Sequence, residues 1–141
     1  MSILVSIASF IGCKTTTYTL NDLPENRIVF GNSGGFAGTV NEFMLLENGQ
    51  IFMKKNNASN YTELVSVPKR LAKKAFKMSK ALNLEEIKSS EPGNMNNFIG
   101  LKGKDYDHQV SWSAGQSFVR KDLQEVFSLL MNFTKEIKAE D

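Results

Sequence analysis

The sequence predicts an α+β fold: an antiparallel sheet of about five strands with two amphipathic helices packed on one face, in the order β-β-β-α-β-β-α. Three observations carry this reading. Short runs rich in β-formers, within residues 27–65 and 98–113, are separated by turn residues and not by the helical crossovers that parallel pairing demands. Residues 71–82 and 123–137 instead repeat their apolar positions at helical spacing. No internal repeat and no linker composition divides the chain, so residues 27–138 are expected to form a single domain.

The chain starts with an apolar run, Ile3 to Ile11, closed by Gly12 and Cys13. The run is shorter than the ~20 residues a membrane-spanning helix needs, but it fits the core of a signal peptide. Phe10-Ile11-Gly12-Cys13 is similar to a bacterial lipobox, which implies cleavage before Cys13 and lipidation of its thiol. Residues 1–13 are then a lipoprotein signal and residues 14–26, opening on the polar Lys14-Thr15-Thr16-Thr17, a tether. The competing reading makes residues 3–11 a buried strand with Cys13 as a small core residue.

Arg27 to Phe30 reads as the first strand and Phe36 to Leu46 as a long second one. On the second strand, Phe36, Val40, Met44 and Leu46 share one face, and Thr39, Asn41, Phe43 and Leu45 share the other. Glu47-Asn48-Gly49-Gln50 is the strongest hairpin signal, with Asn-Gly favouring a type I′ turn. Gln50 to Lys54 returns as the third strand, and Tyr61 to Val65 reads as a short edge strand after a polar loop.

Pro68 suits the first turn of a helix, with Ser66 as a candidate cap. Leu71, Ala75, Met78 and Leu82 form its apolar stripe. Ser89 to Asn97 reads as a loop, and Phe98–Lys102 and Gln109–Ser113 as two more strands, with Val110 and Trp112 on one face. The final helix is expected to begin near Ser117 or Phe118, with Leu123, Val126, Phe127, Leu130 and Ile137 as its stripe.

Composition narrows the chemistry. The single cysteine forbids an internal disulfide or a cysteine-based metal site, and the single histidine forbids a histidine-rich zinc site. A formal charge of +2 is too small to imply nucleic acid. His108, beside Asp105 and Asp107, reads as turn chemistry. No acid–base pair, triad or metal set assembles, so no catalytic residue, cofactor or metal is assigned and an enzyme is not expected.

The most demanding stretch is Gly31-Asn32-Ser33-Gly34-Gly35-Phe36-Ala37-Gly38, because so many glycines imply positive φ or a close approach. As a serine nucleophile of the chymotrypsin-like kind, Ser33 would need a histidine base before it, and none of the thirty-two preceding residues is one; His108 follows it. As a phosphate cradle, the crook runs into a strand where a helix is needed. A structural crook or protein-contact loop remains, with Asn32, Ser33, Gly34, Gly35, Phe36, Ala37 and Gly38 as candidate partner-binding residues and the 89–97 loop as a candidate addition. Alternation with Val40 and Met44 nevertheless places the Phe36 ring itself in the core.

Ser33-Gly34-Gly35-Phe36-Ala37-Gly38 resembles the N-terminal signature of emfourin-type proteins, small inhibitors of thermolysin-family metallopeptidases, and the element order over 27–137 is loosely similar. The resemblance implies a metallopeptidase as the protein partner. The lipobox, the glycine-rich turn, Asn97-Phe98-Ile99 and Trp112 also resemble small lipoproteins of Bacteroidota, which implies an outer-membrane lipid anchor at Cys13 but no activity.

The first helix carries Lys69, Arg70, Lys73, Lys74, Lys77 and Lys80 with no acid until Glu85, a lopsided run suited to anionic lipid or glycan unless it is only a solvated face. The expectation is therefore a monomeric, lipid-anchored envelope protein acting by protein–protein contact, with peptidase inhibition as its sharpest form. The alternative is a binding module whose cationic helix engages anionic lipid or glycan. Neither reading involves nucleic acid.

Overall fold

A computed structural model describes residues 16–36, 38–56, 58–64, 66–116 and 119–135. Its core is one antiparallel sheet of six strands with two helices. The strands are β1 (Arg27–Gly34), β2 (Thr39–Leu46), β3 (Ile51–Lys55), β4 (Thr62–Glu63), β5 (Met95–Gly103) and β6 (Tyr106–Ser113), in the spatial order β4-β3-β2-β1-β5-β6. Helix α1 (Lys69–Ala81) connects β4 to β5, and α2 (Lys121–Lys135) follows β6. The α+β class and the helices' placement agree with the sequence; the sheet has one strand more than the order β-β-β-α-β-β-α allows, because the edge run shrinks to β4 but still pairs with β3.

Every pairing except β1–β5 is a hairpin, which is why turn chemistry dominates the sequence. β1 is flanked by β2 and β5 along its full length, and its upper half contains the glycines. The expected boundary at Phe30 is wrong: β1 runs on through Gly31 to Gly34, and β2 starts only at Thr39. A Cβ on Gly31 would lie 1.9 Å from the Asn41 carbonyl oxygen, so glycine lets β1 and β2 close up where a side chain would hold them apart. The Phe98 ring lies over this gap and is itself buried.

The β2–β3 turn is not type I′. Asn48 keeps a negative φ and only Gly49, at φ +100°, is positive. Gly49 N–H donates to the Leu46 carbonyl at 3.0 Å and Leu46 N–H to the Gln50 carbonyl at 2.9 Å, a three-residue loop with a bulge. The Asn48 side chain explains the choice, since its Oδ1 accepts from Gln50 N–H at 2.9 Å.

The main core lies between one sheet face and both helices. Ile28, Phe30, Phe43, Leu45, Ile99, Val110 and Trp112 supply the sheet side. Phe30 and Phe43 stack at 5.5 Å, and Trp112 meets Phe127 edge-on at 5.2 Å. On α1 the buried positions are Ala72, Ala75, Phe76 and Ser79, with Leu82 just beyond its end; Leu71 and Met78 are only half-buried. The stripe is thus rotated from the expected one, because Phe76 has more apolar area to bury than Leu71. Pro68 occupies the N-cap itself and no side chain caps the helix, so Ser66 does not serve. On α2, Leu123, Val126, Leu130 and Phe133 are buried; the helix begins later than expected, and Ile137 lies outside the described residues.

The opposite face of the sheet is covered in its lower half. Met44, Leu46 and Phe52 form a second cluster, packed by Tyr61 and by Tyr18 and Leu23 from the stretch preceding β1. Gln50 fixes that stretch by accepting from Tyr18 N–H at 2.7 Å and donating to the Tyr18 carbonyl at 3.0 Å. Both faces of lower β2 are therefore apolar, which accounts for its unbroken Phe43-Met44-Leu45-Leu46 run. β5 starts earlier than expected, at Met95, because Asn96 and Asn97 pair with Ser33 and Asn32 and absorb the end of the supposed loop. β6 likewise starts at Tyr106, leaving only Lys104 and Asp105 in its turn.

Candidate functional site

The antiparallel sheet has two unlike ends. At the upper end, β1 and β2 are joined by the four-residue connection 35–38, in which Gly38 N–H donates to the Gly35 carbonyl at 3.0 Å. Phe36 sits at this tip with a relative exposure of 109%, as open as a side chain can be. The core placement expected for its ring fails because the residue is in the turn, where strand alternation has no meaning. Ala37 lies outside the described residues, while Asn32, Ser33, Gly34 and Gly35 are half-buried and Gly38 is exposed.

The tip is braced from the side by the 89–97 segment. Gly35 N–H donates to the Asn94 carbonyl at 2.6 Å, and a Cβ on Gly34 would meet that same oxygen at 2.2 Å. Thr39 Oγ1 donates to the Gly34 carbonyl at 3.1 Å. Asn94 is held in turn by an amide loop: Gly93 N–H donates to Asn96 Oδ1 at 2.8 Å, and Asn96 Nδ2 to the Gly93 carbonyl at 3.1 Å. Below the tip, Asn41, Asn32 and Asn97 stand opposite one another across β2, β1 and β5, with Asn41 Nδ2 donating to Asn32 Oδ1 at 3.0 Å.

Residues 28–41 and 92–101 contain no charged side chain, in a chain where charged residues make up 23%. The rim they form offers amides, backbone, Met95 and one exposed aromatic. The composition of such a patch, poor in charge and holding Phe and Met, matches the centre of a protein interface. The asparagine row and the bracing by Asn94 escaped the sequence reading, which treated 89–97 as a loop. The uncharged stretches were visible in the sequence and mark the same surface.

The lower end is organised around α1. Its N-terminus is hung from the β2–β3 turn, where Val67 N–H donates to the Gly49 carbonyl at 2.9 Å. Its C-terminal Lys80 borders a hollow of about 280 Å³ shared with Asn26, Phe76, Leu101, Lys102 and Tyr106. The helix thus crosses the lower end of the sheet, its length of about 20 Å matching the spacing from β3 to β6. Lys69, Arg70, Lys73, Lys74, Lys77 and Lys80 are all exposed, on the side away from Ala72, Ala75 and Ser79. Among the described residues the one ion pair is Arg120–Asp122, so none of these six has a carboxylate within 4.0 Å. Glu47 borders the shallow hollow that Lys73, Lys77 and Lys80 line.

Smaller polar groups are tied into the fold. Tyr106 donates from its hydroxyl to Glu85 Oε2 at 2.7 Å; burial and then that bond raise the phenol to about 12, while the same bond holds the Glu85 carboxyl below its ordinary value. Tyr61 donates to Glu42 across β2 and β3, and burial, then the bond to Glu42, push its phenol well above the usual tyrosine range. His108 packs on the Tyr106 ring, 4.4 Å between centroids. It lies on the lower half of β6 while Ser33 is at the upper end of β1, about 17 Å away along the strands, so these two side chains do not meet. Among the described residues, no three His, Cys, Asp or Glu side chains converge on a metal-sized site, and no helix is long and apolar enough to cross a membrane. Cys13 lies outside the described residues.

Compared with known proteins, the chain matches no protein-family model and no curated protein.

Proposed function

We propose that the chain is a non-enzymatic envelope protein, anchored by lipid at Cys13, that works by protein–protein contact through the rim Asn32 to Gly38 together with Asn94 to Asn97. The observation that supports this reading is Phe36: a fully exposed aromatic on a tip whose backbone is bonded on both sides. Burying such a ring against a partner gains roughly 2–3 kcal/mol of transfer free energy, and a braced tip loses little conformational entropy on binding. The sharpest form of the reading, from the Ser33–Gly38 resemblance, is inhibition of a thermolysin-family metallopeptidase. The test is a titration of such peptidases, with serine peptidases as controls, using the wild-type chain and Phe36→Ser. Expected is stoichiometric inhibition of the metallopeptidase alone, weakened about thirtyfold or more by Phe36→Ser. Inhibition unchanged by that substitution would remove the rim from the contact, and no inhibition at micromolar concentration would end the peptidase form of the proposal.

A further inference from the structure

We infer that the exposed face of α1 is a docking surface for an anionic phospholipid membrane, and that it turns the lower end of the sheet toward that membrane and the Phe36 rim away from it. The docking surface goes beyond the contact proposed for the rim and does not depend on it, while its orientation rests on the lipid anchor proposed at Cys13.

Two independent observations lead here. The first is charge. Six cations share the exposed side of a thirteen-residue helix, and none has a carboxylate within ion-pairing distance among the described residues. Like charges three and four residues apart disfavour the helix, and Lys69 and Arg70 also sit at its positive N-terminal end. The arrangement is therefore not explained by the helix's own stability. Glu47 borders this face without closing an ion pair, and a surface of fixed negative charge would supply the remaining counter-charge without demanding a matching shape.

The second observation is where the chain comes from. Thr16 is the first described residue, and its carbonyl accepts from Asn48 Nδ2 at 2.6 Å, in the β2–β3 turn from which α1 is hung. Cys13 is three residues earlier in the sequence, a length of chain that spans at most about 11 Å. A lipid attached there would enter the membrane at the same end of the strands as α1. The rim is at the other end, roughly 25 Å away along β1. Clustered cations at the anchored end of a protein add electrostatic attraction to an anionic bilayer. Phospholipid thus accounts for both the position and the sign of this face; a polyanionic glycan accounts only for the sign.

The test is co-sedimentation of the full chain with vesicles of phosphatidylglycerol mixed into phosphatidylcholine, set against phosphatidylcholine alone. Residues 3–11 add the same apolar baseline to both, so the readout is the preference for the anionic vesicles. Wild type should prefer them by at least about tenfold and lose the preference at about 1 M salt, where screening reaches within ~3 Å. Lys73→Glu/Lys74→Glu/Lys77→Glu should lower binding to anionic vesicles by roughly a hundredfold, and the milder Lys73→Gln/Lys74→Gln/Lys77→Gln should lower it by at least about tenfold while keeping the helix intact. Phe36→Ser should bind as wild type does. Equal binding to both vesicle types, or a preference that survives both triple substitutions, overturns the inference. So does retention on sulfated-glycan beads without any vesicle preference, which would give the face to glycan instead.

Discussion

The two ends of this sheet are built on opposite terms. At the upper end the backbone is fixed and the rim of residues 32–41 and 92–97 has no charge, Lys55 standing beyond it opposite Asn41: Gly31 and Gly34 allow approaches that any side chain would block, and Asn94 and Thr39 bond the tip on either side. At the lower end the surface is cationic, and its long side chains are free of ion pairs among the described residues. A braced, uncharged tip suits recognition of shape, whereas an exposed cationic face responds to potential and is screened by salt. One small domain thus holds an uncharged, braced surface and a cationic one a strand's length apart.

The largest effect is expected at α1, which is held to the domain chiefly by its buried side. Phe76→Ala should destabilise by about 4 kcal/mol, and Leu71→Ala, half-buried on the flank, by clearly less, as read from urea unfolding. Equal losses would restore the stripe that periodicity alone suggests. At the other end, Gly31→Ala puts a methyl 1.9 Å from the Asn41 carbonyl, and β1 and β2 must part; roughly 3 kcal/mol should be lost, and rim binding with it.

Alkaline pH sharpens the account of the face opposite the helices. The Tyr61 phenol is raised in the fold above its ordinary value of 10.0, chiefly by burial. Its contribution is then fully present below pH 10.0 and is lost as pH rises from there toward the folded value, because the unfolded chain releases the proton first. The decline should be on the order of 1 kcal/mol, since a half-exposed phenol is screened by water, and Tyr61→Phe should flatten it in thermal melts taken across that range. The smallest effect is expected at the tip: Phe36→Ser should leave stability within about 0.5 kcal/mol of wild type, because the ring touches nothing that folding buries. A larger loss would make Phe36 structural after all.

The elements themselves were legible because hairpins and amphipathic helices leave local marks: Asn48-Gly49, the alternation around Val110 and Trp112, and the spacing of Leu123, Val126 and Leu130. What escaped depended on contacts distant in sequence. Asn96 and Asn97 read as loop residues until β1 is present to pair with them. Tyr18 and Leu23 sit in a polar stretch that gave no hint of covering Met44 and Phe52. Phe36 was misplaced for a local reason, since glycines inside a strand looked like its end and the turn looked like the next strand. The cationic residues, by contrast, could be read directly, because charge on a helix surface needs no partner to be recognised.

The most direct test of the central claim places a photoreactive benzophenone side chain at residue 36 and, in a separate variant, at residue 77, in cells that express the protein. A discrete protein adduct is expected from residue 36 and none from residue 77. Protein adducts from residue 77 alone, or the same adducts from both, would contradict the assignment of the contact to the rim.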